Sequence, residues 1–472
     1  MASTETTSSS TTTPERPKIL IIGAGLGGLT LAILLEKAGA DFLVLERSPA
    51  VRPLGTALSL APNVQPLLEQ LGLLDELKAI AKPAITARIF SDALHEIHTM
   101  NVEQYKDICG YHTQFTTRPD LYNMLLSHVP PHKILSGKRV LNIKQDDFGV
   151  SVHCADGSDY HGDILVGCDG AHSSVRQSLY GQLKEEGRLP SLDAEDQRVC
   201  YMSLLGTTGP MDQEKYPSVA EMHSRGDIIT SRTKPNTRRT FTVLGDRICW
   251  GVGVQMESTS FENNETFKNS EWGSESSKSI EESWLSLPMS IGGTLGDLVA
   301  ATPKEAISKV YFEEKLYTTW FHNRVVLMGD AAHKMLPNAG LGAVNAMLDA
   351  VILANALYEI REPSSGNIQS AFKEYYTERY SRAQADFNTS NQTAQIISGQ
   401  TWKERLARFV VFKLLPDFTH GYLYAKSLSY RPQASFLPAV EKRGSGPLVA
   451  QKPSKRYAEE LAQKKNASVA TV

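Results

Sequence analysis

Gly23, Gly25 and Gly28 lie in the run Lys18 to Glu46, KILIIGAGLGGLTLAILLEKAGADFLVLE, each at a point where a side chain would obstruct an approaching phosphate. In a G-x-G-x-x-G turn between a strand and a helix, the first glycine permits the tight turn and the second admits a pyrophosphate to the backbone. The third lets the helix pack closely on the sheet. The helix N-terminus adds free amide groups and a partial positive charge. Glu46 ends a second apolar run about 20 residues further on, where a carboxylate meets a ribose diol and would repel a 2′-phosphate. The run reads as a dinucleotide site and carries the only such fingerprint in the chain.

Two later segments have the same strand-then-loop form. DILVGCDGAHSSVR, from Asp163 to Arg176, is an apolar strand ending in Asp169-Gly170, followed by a turn of small residues. RVVLMGDAAHKMLPNAGLGAVNAMLDAVILANAL, from Arg324 to Leu357, ends its strand in Gly329-Asp330, passes through a Pro/Asn/Gly loop and opens a helix near Ala343. Asp330 at a strand end could accept hydrogen bonds from sugar-chain hydroxyls, and the amides opening the Ala343 helix could face an electron-rich ring edge.

The elements that position these residues are those of a chain larger than one ordinary core. Its 472 residues are 41% apolar and hold no run of 18 apolar residues that would span a membrane. Polar residues 1–16 read as a disordered tail, neither signal nor transit peptide, which suits a cytoplasmic protein. Thr117 and Pro119 mark a helix entry at TTRPDLYNMLL. From Arg198 to Gln255 the pattern changes to strands separated by turns, as in an antiparallel sheet, and residues 256–279 read as an exposed Ser/Glu/Asn-rich loop. Five scattered cysteines without a CxxC pair suit reduced thiols and give no metal site. The net charge of −3 argues against a nucleic-acid partner.

With these three motifs in this order, the chain resembles the single-component FAD monooxygenases typified by para-hydroxybenzoate and salicylate hydroxylases. Within them it is most similar to the zeaxanthin-epoxidase-like and secondary-metabolite epoxidase branches. The resemblance implies an α/β fold: a discontinuous, glutathione-reductase-like Rossmann domain for FAD (17–195 and 300–395), an inserted antiparallel substrate sheet (196–299) and a helical or extended C-terminal region (396–472). It also implies cofactor contacts. Gly23, Gly25 and Gly28 would cradle the pyrophosphate and Glu46 the adenosine ribose, while Gly55 would line the flavin. Arg118 would contact phosphate or ribityl groups. Asp169 would touch FAD and NAD(P)H, Asp330 would bind FAD, and Gly342 with Ala343 would approach the isoalloxazine. Leu341, Leu348 and Thr56 depart from the usual pattern, which bears on substrate and flavin mobility.

The activity so implied takes NAD(P)H and O2 and hydroxylates or epoxidises an aromatic or isoprenoid-type small molecule through a C4a-hydroperoxyflavin. The alternatives are an FAD-dependent dehydrogenase or isoprenoid reductase, and a non-catalytic flavin-binding partner protein. No residue stands out as catalytic. His333 reads as a structural hydrogen-bonding histidine, and Asp169 could equally cap its own turn. Tyr111, His112 and Tyr201 could line a substrate cavity or pack in the core, and Trp250 could face substrate or fill the sheet. From Thr401 onward 13 Lys and Arg face 5 Asp and Glu. There, Trp402, Leu406, Phe409, Val410 and Leu414 share one helical face, expected to dock on the protein's own body or to make peripheral membrane contact.

Overall fold

The computed structural model describes residues 16–50, 55–231, 237–256, 271–272, 280 and 282–470. The expected tail lies outside these residues up to position 15, as does most of the 256–279 loop. The α/β architecture is organised around a six-stranded sheet. Its central strand β1 (Lys18–Ile22) pairs in parallel with β2 (Asp41–Glu46) on one side and with Ile164–Gly167 on the other. Val325–Leu327 adds in parallel beyond Ile164–Gly167, and Ile134–Ser136 beyond β2. Helices cover both faces of a parallel sheet, so its strands can be apolar throughout. Accordingly Ile19, Leu20, Ile21, Leu165, Val166 and Val326 are all buried.

Helix α1 (Leu26–Lys37) leaves the glycine turn and packs against the helix Gly342–Tyr358. The approach is close: a Cβ at Gly27 would lie 3.1 Å from the Ala346 Cβ. The 34-residue helix Ser365–Ser398 then crosses behind it, bringing Arg379 and Tyr375 into the core.

The second sheet is mixed. Arg198–Thr207, Ser308–Leu316, Arg247–Gln255, Thr237–Leu244 and Ser224–Thr230 run antiparallel to their neighbours. Lys82–Ser91 joins Ser224–Thr230 in parallel, so strands from both sides of the Arg198–Gln255 span enter the sheet. Trp250 fills the interior, with its indole N–H on Thr302 Oγ1 at 2.9 Å. A two-pronged ion pair ties the parallel strands together: Arg88 donates to both carboxylate oxygens of buried Asp227, at 2.8 and 2.6 Å.

The cost of a buried ion pair appears when only one partner is removed. Arg88→Met should cost about 3–5 kcal/mol by that principle, read as a lowered thermal midpoint. Arg88→Met combined with Asp227→Leu should recover much of the loss.

Candidate active site

The register of the parallel sheet decides where the chemistry-bearing turns meet. Ile22 is paired with both Leu45 and Gly167, and Gly167 with Leu327, so four strands end along one edge. Past that edge lie the Gly23 turn, Glu46, Asp169 and Asp330. Ligands of doubly wound sheets bind at this carboxyl edge.

At the turn, Gly23 has φ +106° and donates its N–H to Leu45 O at 2.9 Å. A Cβ there would lie 2.7 Å from Cys168 O, and one at Gly28 would collide with the Gly23 carbonyl oxygen. Gly25 heads α1, and a Cβ at that position would meet no atom within 4 Å. The helix N-terminus is thus open to a phosphate. The Glu46 carboxylate joins the turn to the end of β2, accepting from the Ala24 N–H and the Ser48 N–H, each at 2.8 Å.

Asp169 serves its own turn through one oxygen only. Oδ2 accepts from the Ser174 N–H at 2.7 Å and from Ser174 Oγ at 3.0 Å, capping the helix Ser174–Glu185. Oδ1 is buried and has no hydrogen-bond partner among the described residues. Asp330 accepts from Lys334 Nζ at 2.6 Å. Burial opposes its ionisation, but Lys334, His333 and Arg118 outweigh burial and hold its carboxyl below the usual range. Gly55 (φ +128°) abuts the Arg118 side chain, and the Arg118 N–H donates to Thr56 O at 3.1 Å. The Arg118 guanidinium is exposed and makes no ion pair among the described residues. Gly342 and Ala343 open the Gly342–Tyr358 helix, and Gly342 again faces open space. In the loop before them, both amide atoms of Asn338 are buried and unpartnered among the described residues.

Beneath this loop lies a charged cluster with no exposed member. Asp349 accepts from His333 Nε2 at 2.6 Å, from the Gly329 N–H at 2.8 Å and from Arg379 Nε at 2.7 Å. Arg379 also donates to Asn345 Oδ1 at 2.7 Å, and both Asp349 and Arg379 are 0% exposed. Burial disfavours the Asp349 carboxylate, yet His333 and Arg379 together bring its pKa down to about 2. His333 is therefore tied up structurally, as its sequence context suggests. Arg379 escaped sequence reading: it lies in another helix, and only its place on the apolar face of a long amphipathic pattern could have pointed to it. Tyr111 is likewise committed, donating to Glu69 Oε2 at 2.6 Å, whereas Tyr201 packs with Leu336 just ahead of the Pro337–Ala339 turn.

The sequence pattern of the FAD binding domain family matches residues 16–200 and 254–390, well over half the chain. The chain belongs to this family of FAD-dependent monooxygenases. It is 30% identical to the FAD-dependent monooxygenase prhF of Penicillium brasilianum over 453 residues, 92% of this chain and 91% of that one. It is 28% identical to the FAD-dependent monooxygenase atmM of Aspergillus flavus, over 92% and 89% of the two chains. Among solved structures, Klebsiella pneumoniae HpxO complexed with FAD and uric acid shares the fold. The TM-score is 0.71 at 20% identity, over 88% of this chain and 97% of that one.

The edge suits FAD on its own evidence. It combines an open helix N-terminus at Gly25, open space beside Gly342 and, among the described residues, a buried unpartnered oxygen on Asp169 and an unpartnered amide at Asn338. These are the requirements of a pyrophosphate, a hydroxylated chain and a polar ring edge.

Two outcomes follow for this FAD monooxygenase. Gly28→Ala should leave the purified protein without yellow colour or extractable FAD. Because the folded pKa of Asp349 lies below the unfolded value, its stabilisation is present above about pH 4. It is lost as pH falls from there towards about 2. Asp349→Asn should lose about 3–5 kcal/mol at neutral pH and flatten the acid limb of a stability-against-pH curve.

Proposed function

We propose that this monooxygenase uses NAD(P)H and O2 to hydroxylate or epoxidise an aromatic or isoprenoid-type small molecule. The observation that carries the reading is that the one dinucleotide fingerprint in the sequence lies within the matched FAD-binding region; with FAD there, a nicotinamide donor has to reach the flavin without a Rossmann domain of its own. FAD, when bound, accepts hydride and activates oxygen. The work of the chain is to hold it, admit the donor and keep water out.

In this reading the Gly23 turn and α1 hold the pyrophosphate, Glu46 takes the ribose, Gly55 lines the flavin, Arg118 takes phosphate or ribityl groups, Asp169 touches FAD and NAD(P)H, and Asp330 binds FAD. Gly342 and Ala343 approach the flavin ring. Tyr201, Phe312 and Leu336 form an apolar cluster between the mixed sheet and the Pro337–Ala339 turn, which is where a substrate ring would be shielded from water. The uric acid bound by HpxO supports a cyclic, oxygen-bearing substrate as one branch of the proposal.

Peripheral membrane contact through the C-terminal helices also belongs to this reading. No helix among the described residues is long and apolar enough to cross a membrane. The apolar face expected to dock on the body instead points outward: Trp402 is 64% exposed, and Leu406, Phe409, Val410 and Leu414 are exposed with it, as are Phe418 (79%) and Tyr422 on the next helix. Lys403, Arg405, Lys413 and Lys426 are exposed on the same segment and complement anionic headgroups.

Anaerobic reduction by NAD(P)H, followed at the flavin absorbance with a panel of phenols and terpenoids, tests the activity. At least one compound should accelerate bleaching and, in air, consume O2 in proportion to product. Reduction without any oxygenated product would contradict the proposal. Separately, the protein should co-sediment with phosphatidylserine-containing vesicles more than with pure phosphatidylcholine, and W402S/F418S should not.

A further inference from the structure

An aromatic column runs from behind the Gly329-Asp330 turn to the surface of the protein. Its inner end is Trp320, which is 1% exposed and lies 5.1 Å, ring centre to ring centre, from His333. His333 shares the Asp349 carboxylate with the N–H of Gly329, in the turn that carries Asp330. The Trp320 carbonyl also accepts from the Leu327 N–H at 2.7 Å, on the strand that leads into that turn. The outer end is the pair Tyr376 and Tyr380, one turn apart on the helix Ser365–Ser398 and stacked at 4.9 Å. Both are half-buried, and each ring centre stands 5.7 Å from that of Trp320. These are the separations of aromatic rings in contact.

The rings differ in where a proton could go. Trp320 Nε1 donates to Tyr317 O at 2.8 Å. Tyr375, 5.8 Å from Trp320, donates to Leu327 O at 3.2 Å, and Tyr180 donates to Thr319 O at 2.8 Å. A backbone carbonyl accepts a hydrogen bond but is too weak a base to take the proton of an oxidised ring. Burial also pushes the pKa of both these phenols up. The hydroxyls of Tyr376 and Tyr380 differ: neither is buried and neither bonds to a described residue, so both are open to water.

This ordering gives the column a direction for one-electron oxidation. An indole can lose an electron and persist as a radical cation while keeping its proton, as Trp320 would have to do in the core. A phenol is oxidised readily only when its proton can leave at the same time, which in this cluster is met at the surface pair. A monooxygenase that activates O2 at a flavin is exposed to stray one-electron oxidants whenever oxygen transfer fails, since the cofactor performs the reactive chemistry inside the fold.

We propose that Trp320, Tyr376 and Tyr380 form a drain that carries one-electron oxidising equivalents from the flavin site to the surface, a protective function separate from oxygen transfer. It rests on the reading that Asp330 binds FAD. Trp320 gives one electron to the oxidant at the flavin site and becomes a radical cation. Tyr376 or Tyr380 returns one electron to Trp320 and releases its phenolic proton to water. The tyrosyl radical left at the surface takes a hydrogen atom from a thiol in solution, and two thiyl radicals so formed join as a disulfide.

The test uses the FAD-loaded full chain under blue light, with photoexcited FAD as the oxidant and dissolved O2 taking the electron onward. The spin trap 2-methyl-2-nitrosopropane captures the tyrosyl radicals, and peptide mass spectrometry locates the adducts. They should appear on Tyr376 or Tyr380 in the light and be absent in the dark. Trp320→Phe should abolish them at unchanged FAD content. Because Trp320 is fully buried, the surface variant Y376F/Y380F provides a second reading that keeps both rings in place. Its thermal midpoint should match the parent, while oxidised tryptophan accumulates faster at Trp320.

Absence of adducts on both tyrosines in the parent, undiminished adducts in Trp320→Phe, or equal oxidation of Trp320 in Y376F/Y380F and the parent would each overturn the drain. Asp330→Ala, read for FAD uptake alone, tests the cofactor reading separately. A failure there is distinct from a failure of the drain in a chain already loaded with FAD.

Discussion

Everything at the candidate site depends on the register of four parallel strands. Pairing Ile22 with Leu45 on one side and Gly167 on the other, and Gly167 with Leu327, makes the chain emerge four times along one edge. What emerges is a glycine turn, a glutamate and two aspartates. A slip of one residue would exchange the side chains packed on the two helix-covered faces, and the close packing of the buried Ile, Leu and Val on both faces makes that slip expensive. The apolar core therefore sets the geometry of the polar edge, and FAD is the group that this edge fits.

A second constraint acts beside the loop proposed to face the flavin ring, through the buried Asp349 carboxylate. It takes hydrogen bonds from the Gly329 backbone, His333 and Arg379 at once, joining the Gly329-Asp330 turn, the strand after it and two helices. Such a cluster adds little net stability over apolar packing, but it is unforgiving of a missing member. It fixes the turn that carries Asp330. Asn338 and Asp169 both have buried polar atoms that the described protein does not satisfy, on the flavin-side loop and the neighbouring strand end.

The local half of this was legible in the sequence. Each cofactor motif is a short apolar strand ending in a glycine-containing turn, and periodicity with turn chemistry suffices to see it. The capping Thr117 and the helix opening at Gly342 were legible for the same reason. What escaped is non-local. Arg379 is 30 residues from Asp349, and nothing in either helix announces the pair. Lys82–Ser91 looks like any short strand until its parallel pairing with Ser224–Thr230 is seen. Amphipathicity identified the Trp402 face but could not say what lies against it, and two adjacent arginines, Arg238 and Arg239, differ only in whether a carboxylate is near in space.

The central claim is that one FAD is held by the four strand ends at this edge. Titration of the purified, flavin-stripped chain with FAD, followed by quenching of flavin fluorescence, tests it most directly. The account predicts a sharp break at one FAD per chain. An absence of saturable binding, or a break at two, would contradict it.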